Sequence, residues 1–167
     1  LIGSRQKAGE NIGDLVSGII TDVRDRGDRA LIEFTKKFDR GTVETIQQIV
    51  VSRGRIMSAS ADCEPELVSA LETAASRIEA YHQRQMPDDF DYVDPLGIRL
   101  GARWTSIKSV GIYVPGGTAS YPSSVLMNAV PARVAGVERI AMVVTAPDNI
   151  LNPDMLTAAN IAGIDEI

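Results

Sequence analysis

The chain has 167 residues, 44% hydrophobic and 23% charged, with no low-complexity tract, so one ordinary folded domain, or a domain plus an appendage, is expected and disorder is excluded. Seventeen basic against twenty-two acidic residues leave a net charge of −5, without the basic block that neutralises a nucleic-acid backbone. The apolar runs are far shorter than the roughly 18 residues that cross a bilayer, and no signal segment opens the chain, so a cytoplasmic protein that binds neither nucleic acid nor membrane is the reading.

Ile12, Leu15, Val16, Ile19, Ile20 and Val23 form one stripe of a helix over about Glu10 to Arg26. Gly27 is placed to end it in the left-handed conformation, and Asp28 to cap a second helix carrying Leu31, Phe34 and Phe38. The β-branched stretch Thr42 to Val51 predicts a short strand, and about Ser52 to Ala61 a polar helix. Pro65, with Glu64 and Glu66 beside it, opens a helix to about Gln85 whose buried stripe is Leu67, Leu71, Ala74, Ala75, Ile78 and Tyr81.

Pro87 and Asp88-Asp-Phe-Asp91 break that helix and make an exposed acidic turn. Residues 1–86 thus read as a helical arm with a short strand, and 97–167 as the first part of a Rossmann-like α/β domain. Ile98 to Trp104 alternates as a strand, with Leu100, Ala102 and Trp104 on the core face. Strands at Val110–Val114 and Ile140–Thr145 then flank a helix over Pro122 to Ala135, closed by Gly136 and expected to kink at Pro131. Asn152 caps a last helix with Pro153 at its first position and Gly163 past its end, and Ile164 starts a third strand. This order predicts a parallel sheet, here incomplete, with right-handed crossovers. Leu1 in place of Met, and a strand that only begins at Ile164, carry the expectation that the sequence is a piece of a longer enzyme.

Three chemical candidates are set aside. Cys63, the only cysteine, sits among acids in Ala61-Asp-Cys-Glu-Pro65, which disfavours the thiolate. His82, the only histidine, falls on a helix without the several converging ligands that zinc requires. Asp88, Asp89, Asp91 and Asp94 surround a turn with no His or Cys partner and read as a solvated loop.

The remaining candidate is the turn after the strand 110–114. Small molecules bind beyond the carboxyl ends of parallel strands. There Gly116 and Gly117 admit unusual backbone conformations, Tyr113 offers an aromatic face and a phenol, and Ser123 and Ser124 offer hydroxyls near a helix start. The turn lacks both the Gly-x-Gly-x-x-Gly fingerprint and a phosphate-loop Gly-Lys-Ser/Thr, so on spacing alone a structural turn is the better reading.

The wording is more specific. Gly111-Ile-Tyr-Val-Pro-Gly-Gly117, followed by Tyr121-Pro-Ser-Ser-Val-Leu-Met-Asn-Ala-Val-Pro-Ala-Arg-Val-Ala-Gly-Val137, closely resembles a segment of the histidinol dehydrogenase family. The resemblance extends back through Arg103-Trp104 to Asp22–Asp28 and forward through Ala158–Ile167, covering essentially the whole chain. It implies a zinc-dependent homodimer that oxidises L-histidinol through histidinal to L-histidine with two NAD. It further implies NAD contact at Tyr113 and, beside it, Pro115, Gly116 and Gly117. The family's zinc ligands and Glu-His acid–base pair have no counterpart in these residues, so no catalytic or metal-binding residue is assigned and the fragment alone is expected to be inactive. A related NAD-dependent dehydrogenase of another small alcohol, and a non-catalytic nucleotide-binding or dimerisation module, are the alternatives.

Overall fold

The apolar stripe at Ile12, Leu15, Val16 and Ile20 lies within a helix, α1 (Ile2–Arg26), whose spacing it dictates. These four side chains remain largely exposed. The computed structural model describes residues 2–116 and 121–167, and the side chains from residue 12 onward. Gly27 follows α1 with φ 58° and ψ −133°, a positive-φ conformation outside the left-handed helical region that was anticipated and open in practice to glycine alone. Gly27 itself is the cap of α2 (Asp28–Asp39), and Asp28 is the first helical residue, where its charge complements the helix dipole without a capping hydrogen bond. The expected strand in 42–51 does not form. A 3₁₀ turn at Ile46–Gln48 occupies it, fixed by Gln48 Oε1, which accepts from the Glu44 and Thr45 amides at 2.6 and 3.1 Å. Side-chain capping thus overrides β propensity. Residues 1–49 form one compact unit, together with the turn 147–149.

The second unit comprises 50–146 and 150–167. Ser52 accepts from the Arg55 amide and starts α3 (Arg53–Ser58), which runs on into a 3₁₀ turn at Ala59–Asp62. Pro65 is the first residue of α4 (Pro65–Gln83). This helix packs on α5 (Pro122–Val134) within the second unit. Leu71 is buried and Leu67, Ala74, Ala75 and Ile78 pack beside it, whereas Tyr81 points out to solvent at 62% exposure.

The acidic stretch contains a strand that sequence reasoning missed. β1 (Phe90–Val93) pairs antiparallel with β2 (Arg99–Ala102). The turn between them is held by Asp94 Oδ1, which accepts from the amides of Leu96 and Ile98, both at 2.9 Å, and by Gly97 at φ 84°. Trp104, expected in the core, is 61% exposed; β2 ends at Ala102, before it, and Leu100 on the same face is itself 43% exposed.

The sheet that positions the site is β3 (Ser109–Val114) paired in parallel with β4 (Arg139–Val144), as the strand–helix–strand order requires. In α5, Pro122 stands in the first turn, and the helix continues through Pro131 as one element. Gly136, at φ 82°, closes it. Asn152 Oδ1 accepts from the Asp154 amide at 2.7 Å and caps α6 (Pro153–Ile161); Gly163, at φ 70°, turns the chain back. A third parallel segment then joins β4 on its other side through the Ala141–Glu166 bridge. The architecture is α/β and Rossmann-like, with a small parallel sheet after amino-terminal helices.

Alternation along β3 and β4 sorts the side chains. Ile112, Val114, Ile140 and Met142 are buried with Val125, Leu126 and Ala129 of α5 and Met155, Ala158 and Ala159 of α6. At roughly 25 cal/mol per Å² of apolar surface, this interior is the main stabilising term of the unit. Gly111, Tyr113 and Val143 point to the opposite, open face.

Arg133 locks the lower end of this unit. It donates to the carbonyls of Val137 and Glu138 at 3.1 and 2.9 Å, to Gly163 O, and to Asp165 Oδ2 at 2.6 Å. Asp165 Oδ2 also accepts from the Ile140 amide at 2.8 Å. Burial works against ionising Asp165, yet the Ile140 N–H and the Arg133 guanidinium outweigh it and hold this carboxyl below the usual carboxylate range.

Candidate active-site edge

β3 and β4 finish together, in register at Val114 and Val144, so the chain leaves both strands at one edge. At that edge the Gly116 amide donates to Thr145 Oγ1 at 2.9 Å. A Cβ on Gly116 would stand 2.0 Å from the Thr145 carbonyl oxygen and 3.0 Å from its Oγ1. The chain's own backbone therefore occupies the space that the missing side chain leaves. This glycine permits two loops to touch, a use that its place in the sequence does not distinguish from close approach to a ligand.

The contact between the loops closes one side of a cavity of about 210 Å³. Its walls are Gly116 and Thr145, Met142 and Val144 of β4, Ile150 and Leu151 of the following connection, and Asn152, Pro153, Met155 and Leu156 at the start of α6. Drug-sized sites run to about 300–1,000 Å³, so this space suits a single ring or sugar rather than a whole dinucleotide.

The anticipated nucleotide-contacting residues divide across the sheet. Gly116 lines the cavity on the helix-covered side. Tyr113 lies opposite Val143 on the open face, the two being 62% and 64% exposed, and Pro115 is exposed just beyond the strand. Gly117 lies outside the described residues. Ser123 is exposed, and Ser124 sits in the first turn of α5 with its carbonyl accepting from Asn128 Nδ2 at 2.7 Å. Thr145, which sequence reasoning passed over, is the residue that joins the two loops. A hydroxyl one residue past a strand end was its only signal.

The other candidates have structural employment. Cys63 Sγ donates to Ala59 O at 3.4 Å and lies 3.2 Å from Thr157 Oγ1. Burial pushes this thiol's pKa up, with the Asp154 and Asp62 carboxylates adding to the effect. His82 meets Tyr81 edge-on with ring centres 5.2 Å apart. Asp89 Oδ1 accepts from the Trp104 amide at 2.7 Å, Asp91 pairs with Arg99 across the hairpin, and Asp94 forms its turn. Among the described residues no three or more His, Cys, Asp or Glu side chains converge to hold a metal. A larger groove of about 490 Å³ between α4 and the carboxyl ends of α5 and α6 presents Glu79 and Arg133 over an apolar floor. It lies at the amino-terminal edge of the strands, the end of a parallel sheet where ligands are not expected.

The profile of the family described as histidinol dehydrogenase matches residues 3–167. The chain belongs to the histidinol dehydrogenase family. The histidinol dehydrogenase of Gluconobacter oxydans (strain 621H) is 50% identical over 167 residues, 100% of this chain and 39% of that protein. The Mesorhizobium japonicum protein of the same name is 52% identical over 164 residues, covering 98% of this chain and 38% of its own length. The crystal structure of histidinol dehydrogenase from Elizabethkingia anophelis superposes with a TM-score of 0.83 at 35% identity, over 92% of this chain and 35% of that one. The chain thus spans under two fifths of the length of the curated relatives it matches and corresponds to their amino-terminal portion. Among the described residues no helix is long and apolar enough to cross a membrane.

Proposed function

We propose that this chain is the amino-terminal part of a cytoplasmic, homodimeric histidinol dehydrogenase that uses zinc and NAD to oxidise L-histidinol through histidinal to L-histidine, and that its carboxyl-edge corner forms one wall of the nucleotide site. The observation that carries this reading is the joined edge itself. Gly116 seated on Thr145 brings an exposed tyrosine on one face and a ring-sized cavity on the other to the ends of the same two strands. A nucleotide lying across that edge reaches both.

NAD, when bound, supplies the hydride acceptor for each oxidation. This chain's part is to hold it. Tyr113 gives a broad aromatic surface with a phenol at its rim, Pro115 fixes the backbone that leaves the strand, and Gly116 and Thr145 keep the cavity wall in place.

The test is steady-state kinetics of the intact enzyme carrying Tyr113→Ala. Loss of an aromatic contact weakens binding roughly five- to tenfold, so KM for NAD rises by that factor while KM for histidinol stays put. An unchanged KM for NAD removes Tyr113 from the site.

A further inference from the structure

The hairpin of β1 and β2 sorts its side chains onto two unlike faces. Residues paired across an antiparallel ladder point the same way, so Phe90 and Ala102 share one face with Tyr92 and Leu100. The other face carries the exposed Asp91–Arg99 ion pair and suits water. The apolar face does not. Phe90 is 57%, Tyr92 52% and Leu100 43% exposed, and the rings of Phe90 and Tyr92 stack on each other with centres 6.5 Å apart.

An antiparallel sheet with one polar and one apolar face is built to lie on a second layer, and two strands alone are marginal in water. Four residues of each strand, two strands wide, make a footprint of roughly 14 by 10 Å. Even with side-chain relief that falls well short of the roughly 800 Å² per partner that a stable association of separate chains buries. A segment of the same chain needs no such area, because the tether removes most of the entropic cost of association. The curated relatives carry such a segment: the chain corresponds to their amino-terminal portion and spans 38–39% of them, so more than three fifths of their length lies outside it.

We infer that the apolar face of the β1–β2 hairpin is the seat of the polypeptide that follows Ile167 in the intact enzyme. That polypeptide lays an apolar surface over Phe90, Tyr92 and Leu100 and offers an acceptor to the Tyr92 hydroxyl, as a buried tyrosine requires. The inference rests on the reading, given above, of this chain as an amino-terminal part.

The test replaces Phe90, and separately Tyr92, by the photo-cross-linking residue p-benzoylphenylalanine in the intact enzyme and maps the products by mass spectrometry. Cross-links to peptides beyond residue 167, in a product that runs as one chain on a denaturing gel, are expected. Cross-links confined to residues 1–167, a product of twice the chain's mass, or no cross-link at all overturns the inference. Thermal melting of two variants of the intact enzyme reads the same face independently. Tyr92→Asp puts a charge beneath the cover and lowers the melting temperature by about 5–10 °C, whereas Val93→Asp, on the opposite face, lowers it by less than about 2 °C. Equal falls for the two overturn the covering, and if Tyr92→Asp does not fold the cross-links decide. A natural protein that ends at Ile167 refutes the amino-terminal reading and this inference with it, whereas failure of the cross-links alone leaves that reading intact.

Discussion

Gly116→Ala is a sharp perturbation because the added atom meets main chain, which cannot swing aside. The new Cβ falls 2.0 Å from Thr145 O and 3.1 Å from Thr145 C, against an ordinary contact of 3.4–4 Å, so the two loops must part by more than an ångström. That movement also stretches the 2.9 Å hydrogen bond from the Gly116 amide to Thr145 Oγ1. Overpacking costs about 1–3 kcal/mol, and a clash between two backbones belongs at the upper end, near 3 kcal/mol. For a unit of this size the loss corresponds to a fall in melting temperature of about 6–12 °C. Gly111→Ala is the control. It lies five positions earlier on β3, with nothing among the described residues within 4 Å of its would-be Cβ. Differential scanning fluorimetry of the intact enzyme should show a large fall for Gly116→Ala and almost none for Gly111→Ala. Equal melting temperatures for Gly116→Ala and parent would refute the reasoning that the two loops are seated on each other.

Asp165 has a depressed pKa in the fold, so its ionised form stabilises the protein above the ordinary value of 3.8, and that contribution is lost as pH falls through the lower folded value. Asp165→Asn should lower stability by about 1 kcal/mol at pH 7, a figure discounted for partial exposure, with the difference from parent closing towards pH 3; urea midpoints at the two pH values check this, and a gap that ignores pH contradicts it. Cys63, with its thiol pushed up by burial and flanking carboxylates, should react with iodoacetamide at pH 7.5 more slowly than a free cysteine peptide and accelerate after unfolding in urea. A rate equal to that of the peptide would show that the thiol is not held as described.

The elements around the candidate site were legible because each has a local cause. Val110 to Val114 and Ile140 to Val144 are apolar runs bounded by turn residues, and Asn152-Pro153 with Gly163 marks both ends of α6. The parallel pairing followed from chain order alone. Reading failed where one side chain decides the backbone. Gln48 turns a β-branched stretch into a 3₁₀ turn, and Asp94 builds a hairpin inside what looked like a solvated acidic loop. Burial was misjudged at Tyr81 and Trp104, since periodicity says which side chains share a face and not whether that face is covered. Tyr113, Pro115 and Gly116 were nominated through family wording, whereas the contact of Thr145 with Gly116 depends on two strands ending in register, a relation between positions 29 residues apart.

The central claim is that the carboxyl edge of β3 and β4 faces the nucleotide. Hydrogen exchange of the intact enzyme with and without saturating NAD addresses it directly. Protection concentrated at 113–116 and 145–152 is the predicted result. Protection at the groove between α4 and the carboxyl ends of α5 and α6, with the strand ends unaffected, would contradict it.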